Sequence, residues 1–170
     1  MILRDARVVD GTGDVYDDAA LRFDSESGRV ETVGDADPTN NEPTYDLDGR
    51  TVVPGLVDAH VHFSLSGEAS VADVVSMSDA ELMLTETVNA RETLEAGVTS
   101  VRAMGARDLD VVLADRVARG DVPGPRMVAN CRSITITGGH GHHLGREVDG
   151  PTECRKAVRE QVKRGAQFIK

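Results

Sequence analysis

Aromatic residues are nearly missing from this sequence. They make up 3 % of its 170 residues and none is Trp, so a core must come from Val, Leu, Ile, Ala and Met. A single chain of this length can bury one. Lysine is almost as scarce: Lys156, Lys163 and Lys170 are the only ones, and every other basic side chain is Arg. The formal net charge is −10 and the pI is near 4.9. With no basic run to offset that balance, nucleic acid is excluded as an expected partner. An acidic, Lys-poor chain fits a protein of high-salt surroundings, where self-repulsion is screened, and equally an ordinary acidic cytosolic protein.

Cysteine is limited to Cys131 and Cys154, without C-x-x-C spacing. That excludes a disulfide framework and a zinc ribbon; reduced, buried thiols are expected, with a single bridge as the alternative. No stretch approaches the ~18 apolar residues of a membrane span. Met1-Ile2-Leu3-Arg4-Asp5 lacks the apolar core of a signal peptide. The expectation is a soluble, cytoplasmic protein with no membrane partner.

What is present falls into two patterns. Residues 1–50 read as short strands, Ile2 to Val9, Ala20 to Phe23, Arg29 to Val33 and Thr44 to Leu47. They are separated by the turn-rich pieces Asp10 to Gly13, Ser25 to Gly28 and Asp37 to Asn41. The acidic stretch Asp14 to Asp18 reads as a solvated loop. A small antiparallel sheet is expected, one part of a β-sandwich, because so few strands cannot cover both faces.

Residues 51–170 alternate strands with helices. Thr51 to Val57 is apolar around Pro54-Gly55, and Ser78 to Glu81 has capping-box spacing for a helix reaching Gly97. Val98 to Ala103 reads as a strand, Asp108 to Arg119 as a helix closed by Gly120, and Arg126 to Cys131 as a strand. Pro151 opens a helix with an apolar stripe of Cys154, Ala157, Val158 and Val162, and Ala166 to Lys170 reads as a fourth strand. The fold class is α/β: four parallel strands and three helices make an open sheet or half of an eight-stranded barrel.

The chemistry concentrates on the first of these strands. In Val57-Asp58-Ala59-His60-Val61-His62 the apolar Val57, Ala59 and Val61 face one way, suited to packing under helices. Asp58, His60 and His62 face the other way, where buried unpaired imidazoles would be costly. Two imidazoles at i and i+2 can instead grip one metal ion together.

Val53-Pro54-Gly55-Leu56-Val57-Asp58-Ala59-His60-Val61-His62 resembles the strand-one motif of the amidohydrolase superfamily. So do Glu95 to Arg102, Gly124-Pro125-Arg126 and Ile136-Thr137-Gly138-Gly139-His140-Gly141, in the branch of imidazolonepropionase-related enzymes and Xaa-Pro dipeptidases. One departure is Ala103, where the dipeptidase branch often has Asp. The resemblance implies a (β/α)8 barrel, its first half here, preceded by part of a β-sandwich domain. It also implies hydrolysis of an amide-type C–N bond by metal-activated water. Gly165 to Lys170 is similar to the strand-four motif whose lysine is carboxylated by carbon dioxide and bridges two metal ions.

His60, His62 and Lys170 are thus the implied ligands of two divalent ions. Zinc is the default, with manganese, cobalt or iron also fitting the donors. His140 is implied to hold a substrate carboxylate or carbonyl, while His142 and His143 carry no assigned role. Arg102 is either a partner for a substrate carboxylate or a member of an ordinary ion pair. The implied substrate is a small molecule such as a dipeptide or an N-acyl amino acid; homo-oligomerisation stays open. Two further histidines and a general-base Asp are implied on strands beyond Lys170. This 170-residue chain is therefore expected to be a fragment and not a catalyst alone. A non-catalytic scaffold with the same barrel, or a small α/β metal-binding module using the His-rich loop, are the alternatives.

Overall fold

The computed structural model describes residues 1–39, 41–67 and 70–170. Asn40, in the third turn-rich piece, lies outside the described residues. The chain divides into two compact units, Met1–Pro54 and Gly55–Lys170.

In the first unit β1 (Ile2–Val9), β2 (Val15–Phe23), β3 (Val30–Gly34) and β4 (Thr44–Val52) form one sheet in the order β3-β2-β1-β4. The pairs β1–β2 and β2–β3 are antiparallel, but β4 runs parallel to β1. The sheet is mixed, not purely antiparallel as expected. The physical reason is that the segment after β3 crosses to the far edge, where the Ile2 amide donates to the Pro43 carbonyl at 2.8 Å.

Two strands are also longer than the sequence pattern predicts. β2 takes in Val15 to Asp18, with Val15, Asp17 and Asp18 exposed and Tyr16 packed against the buried residues, and β4 continues through Asp48-Gly49-Arg50. Left-handed residues make this possible: Asp5 (φ 54°), Asp18 (φ 52°) and Asp48 (φ 52°) lie where the register shifts. Such bulges absorb extra residues without turning the inward set outward, and Asp tolerates the conformation better than most residues. Ala6, Val8, Ala19 and Leu21 consequently stay together as the buried cluster.

The second unit holds β5 (Leu56–Val61), α1 (Val71–Ser76), α2 (Asp79–Glu95), β6 (Val98–Ala103), α3 (Leu109–Ala118) and β7 (Arg126–Ala129). After them come β8 (Ile134–Thr135), β9 (Arg146–Glu147) and α4 (Gly150–Lys163). β5, β6 and β7 pair in parallel in that order. Ser78 caps α2 with the expected reciprocal box: its hydroxyl accepts from the Glu81 amide, and Glu81 accepts from the Ser78 amide at 2.9 Å. α1 was not predicted. It is too short to announce itself by periodicity, and Arg107 holds it by donating to the Val74 carbonyl (2.8 Å) and the Met77 carbonyl (2.6 Å).

Three expectations need correction here. Ala166 to Lys170 lies beside β7 without becoming a regular strand. The Gln167 amide donates to the Ala129 carbonyl at 2.8 Å, but the Ala129 amide is taken by the Gln167 side chain, so the ladder is not continued. Val57 is 72 % exposed and not packed under a helix, because β5 is the sheet's edge and α2 and α3 cover β6 and β7. On α4 the buried line runs through Ala157 and Gln161, one residue before Val158 and Val162, which leaves Cys154 exposed. Cys131 is buried as expected, and both thiols are free.

Candidate active site

The C-terminal ends of β5, β6 and β7 lie on one side of the parallel sheet, so the residues following each strand meet there. They border a cavity of about 430 Å³ lined by His62, Gly105, Thr135, His140, His143 and Lys170, among others. The short parallel pair β8–β9 brackets the loop that carries His140 and His143.

His62 is held at both ring nitrogens. Nδ1 lies 3.3 Å from the Gly105 carbonyl oxygen, and Nε2 lies 3.2 Å from Lys170 Nζ. A carbonyl can only accept, so Nδ1 carries the proton and Nε2 presents its lone pair to the lysine. Burial depresses the His62 pKa, and the Lys170 charge lowers it further, with smaller effects from His60 and His140. Lys170 is depressed too, first by burial and then by the Arg102 cation. Each group therefore favours its neutral, electron-donating form more than it would in water.

Lys170 reaches this place because its main-chain carbonyl accepts from the Ile134 amide at 2.8 Å. The other candidates are distributed unequally. The His60 ring stands 5.5 Å from that of His62, tilted by 51°, and is exposed. His142 donates from Nδ1 to the Gly139 carbonyl at 3.0 Å and packs its ring 3.7 Å from that of His143. Arg102 lies outside the cavity lining: its Nε donates to the Ala59 carbonyl at 2.8 Å, and its guanidinium sits 5.4 Å from the Phe168 ring centre. Among the described residues no three His, Cys, Asp or Glu side chains are grouped to hold a metal ion. The donors on the cavity wall are the imidazoles of His62, His140 and His143 and the Lys170 amine, with the His60 ring beside that of His62.

Sequence reading passed over two features. One is the Gly105 carbonyl, a backbone group that no side-chain motif encodes. The other is a pair of acids behind the Gly105 loop, Glu86 on α2 and Asp110 on α3, at 0 % and 1 % exposure. Asp110 accepts from the Ala106 amide at 3.2 Å, while among the described residues neither Glu86 oxygen meets a donor. Burial, together with the Asp110 charge, pushes Glu86 up to about 9, and burial pushes Asp110 up to about 6. The signal was the spacing Leu82, Glu86, Ala90, which puts an acid in the middle of a buried helical line.

Residues 51–170 match the model of the Amidohydrolase family. An imidazolonepropionase of Cupriavidus taiwanensis is 29 % identical over 147 residues, 84 % of this chain and 32 % of its own. One of Rhodococcus jostii is 39 % identical over 69 residues, 40 % of this chain and 16 % of its own. Among solved structures, a prolidase complexed with N-methylphosphonate-L-proline has a TM-score of 0.86 at 28 % identity, over 99 % of this chain and 45 % of its own. A Xaa-Pro dipeptidase with methionine bound in its active site has a TM-score of 0.84 at 27 % identity, with the same coverage of 99 % and 45 %. The chain thus spans about a third or less of these curated relatives and less than half of these solved structures. The shared fold makes Gly55–Lys170 the first half of a (β/α)8 barrel and Met1–Pro54 part of a small sheet domain.

Proposed function

Since the chain belongs to the amidohydrolase family, we propose that the complete protein is a metal-dependent hydrolase of C–N bonds, with a small dipeptide or N-acyl amino acid as substrate. A cyclic amide is the second substrate class, given the similarity to imidazolonepropionases. The observation that carries the reading is the His62–Lys170 pair at the cavity, two half-buried bases whose charged forms are both disfavoured.

The donors fit a divalent ion. His62 offers a bare Nε2 because Nδ1–H is engaged by a backbone carbonyl, the arrangement that commonly orients metal-bound imidazoles. His60 would be the second imidazole. Lys170, held toward its neutral form, can attack carbon dioxide: the Nζ–C bond forms as one C=O π bond opens to an oxyanion, the proton lost from Nζ passes to solvent water, and the carbamate would offer an anionic oxygen ligand. When bound, divalent ions, zinc by default, would acidify a water molecule and polarise the scissile carbonyl. Arg102 is tied to Ala59, so its proposed part is to keep Lys170 from charging while lying against Phe168. His140, on the cavity wall, would orient the substrate carboxylate or carbonyl.

Metal analysis of the gently purified complete protein, alongside hydrolysis of Xaa-Pro dipeptides, N-acyl amino acids and cyclic amides, tests the reading. At least about one divalent ion per chain and turnover of one substrate class are expected. A chain that binds no ion and cleaves none of the three classes would sink it.

A further inference from the structure

We infer that Gly105 is a positioning residue: its carbonyl, locked by the glycine's left-handed backbone against the end of β7, holds His62 in the Nδ1–H form with Nε2 bare toward the cavity. The inference rests on the metal-centre reading for its purpose, but not for its geometry.

Three contacts pin the loop that carries this carbonyl. The Met104 amide donates to the Val61 carbonyl at 2.8 Å, which ties the loop to the end of β5 one residue before His62. The Ala106 amide donates to the buried Asp110 carboxyl at 3.2 Å. Between them Gly105 has φ +71° and lies hard against β7: a Cβ there would fall 2.1 Å from the Cys131 carbonyl oxygen and 2.4 Å from Asn130 Oδ1. Asn130 and Cys131 are themselves buried, so neither can swing aside. Any side chain at position 105 must therefore move the loop or rotate its peptide, and either change moves the acceptor away from His62 Nδ1. Only glycine satisfies both the backbone angle and the close approach.

An imidazole can carry its one proton on either nitrogen, and the partner of the first sets what the second can do. With Nδ1–H engaged by Gly105, Nε2 is an acceptor and a ligand; with the proton on Nε2 the cavity would face a donor. Gly105 thus decides, through His62, the chemical character of the group aimed at Lys170.

Long-range proton–nitrogen NMR of the metal-free complete protein, labelled with 15N-histidine, reads this directly. In the wild type, His62 should show Nδ1–H over Nε2–H by at least about 5:1. Gly105→Ala should erode that preference and weaken zinc binding, measured against a competing chelator, by about 10–100-fold. Gly120→Ala is the control: it also sits at positive φ (+77°) but meets nothing within 4 Å, so it should cost stability and leave the His62 ratio unchanged.

A wild-type His62 with its proton on Nε2 overturns the inference, whether or not Gly105→Ala folds. So does a folded Gly105→Ala protein that keeps both the ratio and the zinc affinity. A wild type with the Nδ1–H form that binds no metal would sink the metal-centre reading and leave the role of Gly105 standing.

Discussion

The second unit contains two pairs of ionisable side chains that burial drives toward neutrality, and they lie on opposite sides of one loop. Lys170 and His62 are bases whose pKa values fall. Glu86 and Asp110 are acids whose pKa values rise. Desolvation penalises the charged form in both cases. The base pair opens on a cavity, so its lone pairs are usable by a ligand. The acid pair is sealed between α2 and α3, where Asp110 has the Ala106 amide and Glu86 has no donor among the described residues. Accessibility, not the pKa shift, separates a site from a structural liability.

The strongest way to break this comparison is to remove its open half. On the proposed function, His62→Ala should lower kcat/KM of the complete protein by at least about 10²–10³-fold, with loss of bound metal and little change in the Tm of the metal-free form. If activity and metal content survive, the cavity pair is no more functional than the sealed one.

Altering the sealed half should do the reverse. Glu86 is protonated in the fold up to about pH 9, whereas its unfolded value is near 4.5. Between those values the folded state binds the extra proton, so its stability falls as pH rises. Glu86→Gln removes that loss. Its Tm should exceed wild type by roughly 3–8 °C at pH 8, on the scale of 1–2 kcal/mol, and by much less at pH 4 to 5. A thermal scan with the same gap at both pH values would show that ionisation is not the cause.

A smaller effect is expected at the cavity wall. Val71 at the start of α1 lines the cavity, and Arg107 ties the far end of that helix to the loop after β6. Arg107→Ala should cost about 1–3 kcal/mol and raise KM more than it lowers kcat. Equal changes in both would place α1 outside substrate binding. The smallest effect concerns the coupling inside the open pair. Lys170→Gln removes the cation that depresses His62, so the His62 pKa should rise in an NMR titration while staying below the usual imidazole range, burial being the larger cause. A fall would reverse the assigned sign.

Local signals in the sequence were reliable wherever a side chain acts on its own neighbours. The Ser78–Glu81 box and the Val98–Ala103 strand appear where residue pattern alone puts them, and the helix expected over Asp108 to Arg119 forms at Leu109–Ala118 with those two residues as its caps. Features set by a partner strand were missed. β4 passes straight through Asp48-Gly49-Arg50, a turn by composition, because pairing with β1 turns the extra residues into a bulge. Ala166 to Lys170 has a strand's composition, but the Gln167 side chain takes the amide its neighbour would have bonded. His62, His140 and Lys170 were legible as reactive types in suggestive settings; that they share one site came only from the family resemblance, and all three line one cavity.

The sequence by itself therefore determined the α/β alternation, the caps and the presence of imidazoles at a strand end, since periods of two and 3.6 residues are written in side-chain order. Tertiary structure alone decided which nitrogen of His62 is free, that Lys170 comes to 3.2 Å from it, and that Glu86 is buried. Each of these depends on groups far apart in the chain, one of them a backbone carbonyl, and desolvation has no meaning until they are packed together.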